Sequence, residues 1–343
     1  MWKGDRMRAG LLVAVLALAH AALGAIDGTV VNKTTGQPAA NISVTLVKPG
    51  QGGMRTLGTT VSDASGHFSF EKDEPGGGPQ LLQAAFQGVN YNHLLTPASP
   101  TSGVQLEVFD ATKSPGVAQL TQQFMVMEPD ASKIAVGETV IFENSSTTTF
   151  NNEQTGSFRF YLPRAANGQV RVNVQGPQGM PLPRAAEKTD EADVFKISYP
   201  IKPGETQFEI NYVIPAGSPF TYRGRVVPIK GMSMGPLRLI APSGVTLTGK
   251  ELRNVGTEPK TQATIYTVTG PSFTVDIAGT GTLHPPEATD AAAGADPDAP
   301  SIIQGVPRIY QHLPWLVGTA LGILALGLVV LYRTSPVRAP YGK

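Results

Sequence analysis

The stretch Thr59–Lys72, TTVSDASGHFSFEK, decides how the amino-terminal part of the chain is read. It sets an aspartate, a glycine and a histidine within five residues of one another. Asp63 can accept backbone N–H bonds two residues on, and Gly66 supplies the positive φ that a tight hairpin needs. His67 then opens a strand in which Phe68 and Phe70 alternate toward a core and His67 alternates toward water. The grouping is therefore a turn between strands and not a metal or catalytic site.

Working outward, short strand candidates recur with turn signals between them, the pattern of a β-sandwich. DGTVVNK leads into the turn TTGQPAA. ISVTLVK, RTLGTTVS, HFSFE, QLLQAAFQ, YNHLL and VQLEVF follow before Ser114. In ISVTLV, Ile42, Val44 and Leu46 fall on one face and Ser43, Thr45 and Val47 on the other, the period-two signature of a half-buried antiparallel strand.

IDGTVVNKTTGQPAANISVTLV followed by GTTVSDASGHFSFEK resembles the carboxypeptidase-regulatory-like family, a transthyretin-like β-sandwich. Its pattern is held by Gly28 and Val30, by Thr35, Gly36 and Pro38, and by Ser62, Asp63, Gly66 and Phe68. Ser62 stands where threonine is usual, and PGGGPQLLQAAFQG is a loose version of the family's next strand. The resemblance covers about residues 26–110 of a domain expected over 26–113, and it implies an accessory or binding module. The zinc carboxypeptidases that carry such domains use an H-x-x-E pair. Here those letters occur as His284-Pro285-Pro286-Glu287, where two prolines forbid the regular geometry that would aim both side chains at one metal. A peptidase is excluded on that ground.

Residues 117–283 are again strand-rich, with a candidate break near Lys230. Parts of this segment resemble exported bacterial immunoglobulin-like domains. DVFKISYPIKPGETQFEINYVIP shows the alternation best: Phe195, Ile197 and Tyr199, a turn at Pro203-Gly204, then Phe208, Ile210, Tyr212 and Ile214. It predicts a hairpin with one buried face. Residues 284–311, rich in proline, alanine and acid, read as a disordered stalk.

Both ends carry membrane-related signals. Lys3, Arg6 and Arg8 precede an apolar run from Ala9 to Leu23, and Ala22 and Gly24 have the spacing of a signal peptidase site, so residues 1–24 read as a signal peptide. Near the other end, Trp315–Tyr332 is uncharged and, as a helix, would reach about 27 Å, close to the hydrocarbon thickness. A transmembrane helix is expected over 314–332, with aromatic rings at both ends. The tail 333–343 holds Arg333, Arg338 and Lys343 and no acid, which places it in the cytoplasm and the bulk of the chain outside. Gly318 and Gly322 form one GxxxG, a spacing that permits a homodimer through this helix.

The chain has no cysteine, so disulfides, thiolate metal sites and c-type haem attachment are ruled out. Without the leader and the tail, 21 basic and 25 acidic residues remain, which gives no electrostatic footprint for nucleic acid. Other candidate sites are sparse. His93 stands alone in a strand. Glu71, Asp73 and Glu74 offer hard oxygens for calcium without an EF-hand's ligand ladder. Met125 with Met127, and Met232 with Met234, have a spacing that suits soft copper but suits one face of a core strand equally. No catalytic, cofactor-binding or metal residue is assigned, and no cofactor is expected. The sequence thus predicts an all-β protein of tandem β-sandwich domains, transthyretin-like and then immunoglobulin-like, with one C-terminal transmembrane helix. Its expected role is a non-enzymatic cell-envelope binding or scaffold protein for a protein partner or glycan. The alternative is an envelope enzyme or enzyme subunit with a site assembled within the second β-region.

Overall fold

The computed structural model describes residues 26–50, 53–70, 78–177, 179–215 and 220–283. The expected leader, stalk, spanning helix and tail lie outside them. Apart from two single-turn helices, Pro115–Val117 and Arg164–Ala166, the regular structure is all β. Among the described residues no helix is long and apolar enough to cross a membrane.

The first region is two sheets around one core. One sheet runs Gly53–Val61, Ser43–Gly50, Gln80–Phe86, Val89–Leu95, all antiparallel. The other centres on Ile26–Asn32, which pairs antiparallel with Gln37–Pro38 and His67–Phe70 and parallel with Val104–Val108. Ile26, Val30, Val44, Phe68, Leu82 and Leu106 meet between them. Val47, expected to face out, is buried as well. Leu57 is an extra residue in the facing strand, and this bulge re-aims side chains beside it.

The Asp63 turn forms, with a correction to what it joins. Asp63 Oδ1 accepts from the Ser65 amide (2.8 Å), the Ser65 hydroxyl (2.7 Å) and the His67 amide (2.9 Å). Gly66 has φ +78°. The flanking strands, however, are not a hairpin: Gly53–Val61 pairs with Ser43–Gly50, and His67–Phe70 pairs with Ile26–Asn32. The turn is a corner that carries the chain from one layer to the other. Ser62 pins that corner, its buried hydroxyl donating to the Ala39 carbonyl and accepting from the Ile42 amide.

The second region is built on one continuous sheet. Its order is Leu182–Arg184, Val170–Gln175, Gly204–Pro215, Lys133–Asn144, Gln119–Pro129, Leu237–Ala241, Thr264–Val268 and Leu252–Thr257, with Ser233–Met234 beside Gln119–Pro129. It shares one core with two three-stranded sheets, Phe158–Tyr161/Val194–Ile197/Glu187–Lys188 and Phe220–Arg225/Ser272–Gly279/Val245–Thr248. Phe142, Phe158 and Phe208 meet at ring separations of 5.2–5.8 Å, each pair adding roughly 0.5–1.5 kcal/mol beyond area burial. The sheet passes across Lys230 without interruption, since Gln119–Pro129 pairs with Leu237–Ala241.

The hairpin expected over DVFKISYPIKPGETQFEINYVIP is also corrected. Val194–Ile197 pairs with Phe158–Tyr161, and Gly204–Pro215 lies in the large sheet between Lys133–Asn144 and Val170–Gln175. Both strands face the shared core from opposite layers, so their alternation is as read although they are not partners. Between them Ile201 bridges to Phe150.

Two glycines of the first region are fixed by space. A Cβ on Gly66 would sit 2.7 Å from the Val30 carbonyl oxygen, and one on Gly28 would sit 2.1 Å from that of Val104. Gly66→Ala should destabilise by roughly 1–3 kcal/mol from its φ alone, with the clash adding to it. Gly28→Ala should part Ile26–Asn32 from Val104–Val108. Denaturant unfolding of both variants checks this, and wild-type midpoints would contradict it.

Candidate functional site

The residues weighed from the sequence do not converge. His67 is exposed in its turn, and His93 is half-buried opposite Leu82. Met125 and Met127 are core residues of Gln119–Pro129. Met232 is buried, and Met234 Sδ accepts a hydrogen bond from the Ile229 amide at 3.4 Å, which ties this pair to its own loop. Glu71, Asp73, Glu74, His284 and Glu287 lie outside the described residues. Among the described residues no group of three or more His, Cys, Asp or Glu side chains could hold a metal ion.

The structure instead assembles three features. The first is the junction between the two cores. Tyr91, 3% exposed, donates its hydroxyl to the Phe109 carbonyl (2.7 Å) and pairs with the Thr149 hydroxyl (2.8 Å). Burial raises its pKa. Ala111–Thr112 runs parallel to Thr149–Phe150, with the Thr149 amide on the Asp110 carbonyl and the Asn151 amide on the Thr112 carbonyl, both at 2.9 Å. Asp110 is held in turn by Asn32 Nδ2 (2.9 Å) and Gln87 Nε2 (3.1 Å). Lys202 reaches across to the Asn90 carbonyl and stands 5.1 Å from the centre of the Tyr91 ring. Desolvation first, and Arg184 second, push the Lys202 ammonium down to about 8. Beside this junction lies a polar cleft of about 350 Å³ lined by Gly88, Asn151, Glu153, Glu187, Ser198 and Pro200. Lys196 already pairs with the Glu187 carboxylate at 3.3 Å and bonds the Glu153 carbonyl at 2.9 Å.

The second feature is the outer face of the large sheet. A solvated sheet face is ordinarily polar. Here Phe124, Val126, Ile141, Ile240 and Ile265 are half-buried on it, while their sequence neighbours fill the core. The register makes them contiguous: Val126 is opposite Ile240, Ile240 opposite Ile265, and Phe124 opposite Thr139, which adjoins Ile141 on that face. Gly137, opposite Val126, leaves the middle flat. Arg238 lies over the Phe124 ring at 5.9 Å, and Val213 is exposed farther along the face.

The third feature is a polar seam on the inner face of the same sheet. Glu138 is 3% exposed and accepts from Gln123 Nε2 at 2.6 Å. Near it the hydroxyls of Tyr212 and Tyr222 lie 2.8 Å apart, joining the large sheet to Phe220–Arg225. None of Glu138, Gln123 or Lys202 was singled out from the sequence. For Glu138 a signal existed: in KIAVGETVIFEN it shares parity with Ile134, Val136, Val140 and Phe142.

No protein-family model matches the chain, and no curated protein matches it. Solved structures similar over part of it include an M1 zinc metallopeptidase from Deinococcus radiodurans. Its mutant form is 11% identical with a TM-score of 0.26, and the unmutated enzyme is 10% identical with a TM-score of 0.25. In both, the match covers 46% of this chain and 42% of the other, so this chain spans less than half the length of those proteins. At these values the likeness carries no argument about this chain.

The junction should behave as buried structure. Tyr91→Phe strands the Phe109 carbonyl and the Thr149 hydroxyl and should cost about 1–3 kcal/mol. Lys202 has a folded pKa below its ordinary 10.5, so its contribution is full above pH 10.5 and is lost as pH falls toward about 8. Lys202→Met should abolish that part of the stability–pH profile. A profile unchanged by the substitution would contradict the burial of its charge.

Proposed function

We propose that this chain is a non-enzymatic cell-envelope binding or scaffold protein. In this reading a transthyretin-like sandwich of the carboxypeptidase-regulatory-like kind is followed by a larger immunoglobulin-like region. Both are exported behind a cleaved leader and held at the membrane by one helix over 314–332, with the tail in the cytoplasm. A protein partner or a glycan is the ligand, and Gly318 and Gly322 permit two copies to pair within the bilayer.

The observation that carries this reading is the apolar stripe Phe124, Val126, Ile141, Ile240 and Ile265 on an otherwise solvated sheet face. Exposed contiguous apolar surface rimmed by polar groups is where proteins meet partners. The face is rigid, because its strands are also the floor of the core. The hydrogen-bonded junction at Tyr91 and Thr149 supports presentation of the two regions as one body.

The test is gentle solubilisation of native membranes, crosslinking, and mass spectrometry of what accompanies the protein. We expect a stoichiometric partner with the wild type and its loss in the Val126→Glu, Ile240→Glu double variant. A partner retained by that variant would move the interaction to another surface. Recovery of the protein alone, together with no binding on glycan arrays, would overturn the binding reading.

A further inference from the structure

Glu138 places a carboxyl in the buried layer of the large sheet, 3% exposed. Its strand is paired on both sides, with Met125 and Ile210 directly opposite. Gln123 Nε2 donates to Glu138 Oε1 at 2.6 Å, and Gln123 Oε1, itself buried, has no donor among the described residues. Buried acceptors are seldom left that way. An ionised carboxylate only accepts, so it can satisfy the amide's N–H and never its carbonyl. Reversing the amide merely changes which end is stranded. A protonated carboxyl accepts at one oxygen and donates from the other, which would satisfy both ends of Gln123.

Among the described residues the surrounding elements supply no compensating cation. Facing Glu138 are Tyr212 from Gly204–Pro215 and Tyr222 from Phe220–Arg225, and Tyr161 from Phe158–Tyr161 lies beyond them, acting on those two tyrosines. Burial raises the pKa of Tyr212 and Tyr222, which keeps both as neutral phenols at neutral pH. Arg225 stacks over the Tyr161 ring at 5.8 Å and bonds Glu191 at 2.6 Å, so its charge is engaged outside the seam.

We propose that Glu138 is a neutral acid in the tightly folded protein, donating its hydroxyl proton to Gln123 Oε1, and that this acid–amide pair is a pH-sensitive lock on the second core. Desolvation pushes the Glu138 carboxyl up from 4.5 to about 7, against the weaker opposing effect of the Gln123 bond. Because the folded pKa lies above the unfolded one, the stabilisation is complete below pH 4.5 and is lost as pH rises to about 7. The lock is closed in mildly acid surroundings and open at neutral pH and above. Its two neighbours along the strand, Gly137 and Thr139, belong to the outer face, so loosening Glu138 acts on the strand that presents that face.

The experiment is the unfolding midpoint of the full chain between pH 4 and 8, for wild type and Glu138→Gln. A glutamine can keep both bonds to Gln123 without titrating. The wild type should lose about two orders of magnitude in its folding equilibrium constant relative to the variant across that range. Parallel profiles would overturn the proposal. Infrared spectroscopy of the wild type needs no variant to fold: with carboxyl-labelled glutamate, a buried protonated carboxyl band should persist at pH 6 and vanish by pH 8. A fully ionised spectrum at pH 6 would also overturn it.

Discussion

The pairing of Lys133–Asn144 on both of its edges is the constraint on which the second region depends. It bonds along its length to Gln119–Pro129 on one side and Gly204–Pro215 on the other. Because the strand is central, its side chains must divide between two faces. Ile134, Val136, Val140 and Phe142 close the core, while Gly137, Thr139 and Ile141 stand in a row on the outer face. A one-residue slip would exchange the two sets, so burial of Phe142 against Phe158 and Phe208 holds the register. The flat apolar stripe and the buried Glu138 are opposite consequences of one registered strand.

The chain changes layers repeatedly, and this is how two cores come to share one body. Val104–Val108 ends the first core, and Phe109, Asp110 and Ala111 lead out of it against Tyr91 and Thr149. The segment 144–151 of the second region returns to meet them: Asn144 Nδ2 bonds the Thr148 and Ile201 carbonyls, and Thr149 closes on Tyr91. The connection is therefore a set of buried, directional bonds rather than a free linker. The polar cleft beside it follows from the same geometry, because hydrogen-bonded loops leave more space between them than interdigitated core side chains.

The sequence made strand positions and faces legible because alternation reports burial locally. Phe68, Phe70, Phe208, Ile210 and Tyr212 all face the core as their parity requires. Partners were less legible. Turn chemistry at Asp63-Gly66 and at Pro203-Gly204 looks like hairpin chemistry, yet both turns carry the chain between layers. What selects the partner is long-range: Gly28, for instance, admits the Val104 carbonyl at a distance that no side chain would permit. Glu138 was only half legible, since its parity with Ile134, Val136, Val140 and Phe142 places it inward without naming its neighbours. A charged residue in an apolar run reads as an exception, and only the assembled sheet shows that Met125 and Ile210 close over Glu138. The stripe on the outer face was hidden because each of its members, such as Ile240 in PLRLIAP, reads singly as an ordinary strand residue.

The central claim is that the two β-regions form one body through the Tyr91–Thr149 junction, which presents the sheet face in a fixed frame. Residue-resolved hydrogen exchange on the full chain tests it most directly. The amides of Thr149 and Asn151, bonded to the Asp110 and Thr112 carbonyls, should exchange as slowly as sheet amides such as that of Val140. Rapid exchange at Thr149 and Asn151 beneath protected sheets would contradict the account and leave two independently moving modules.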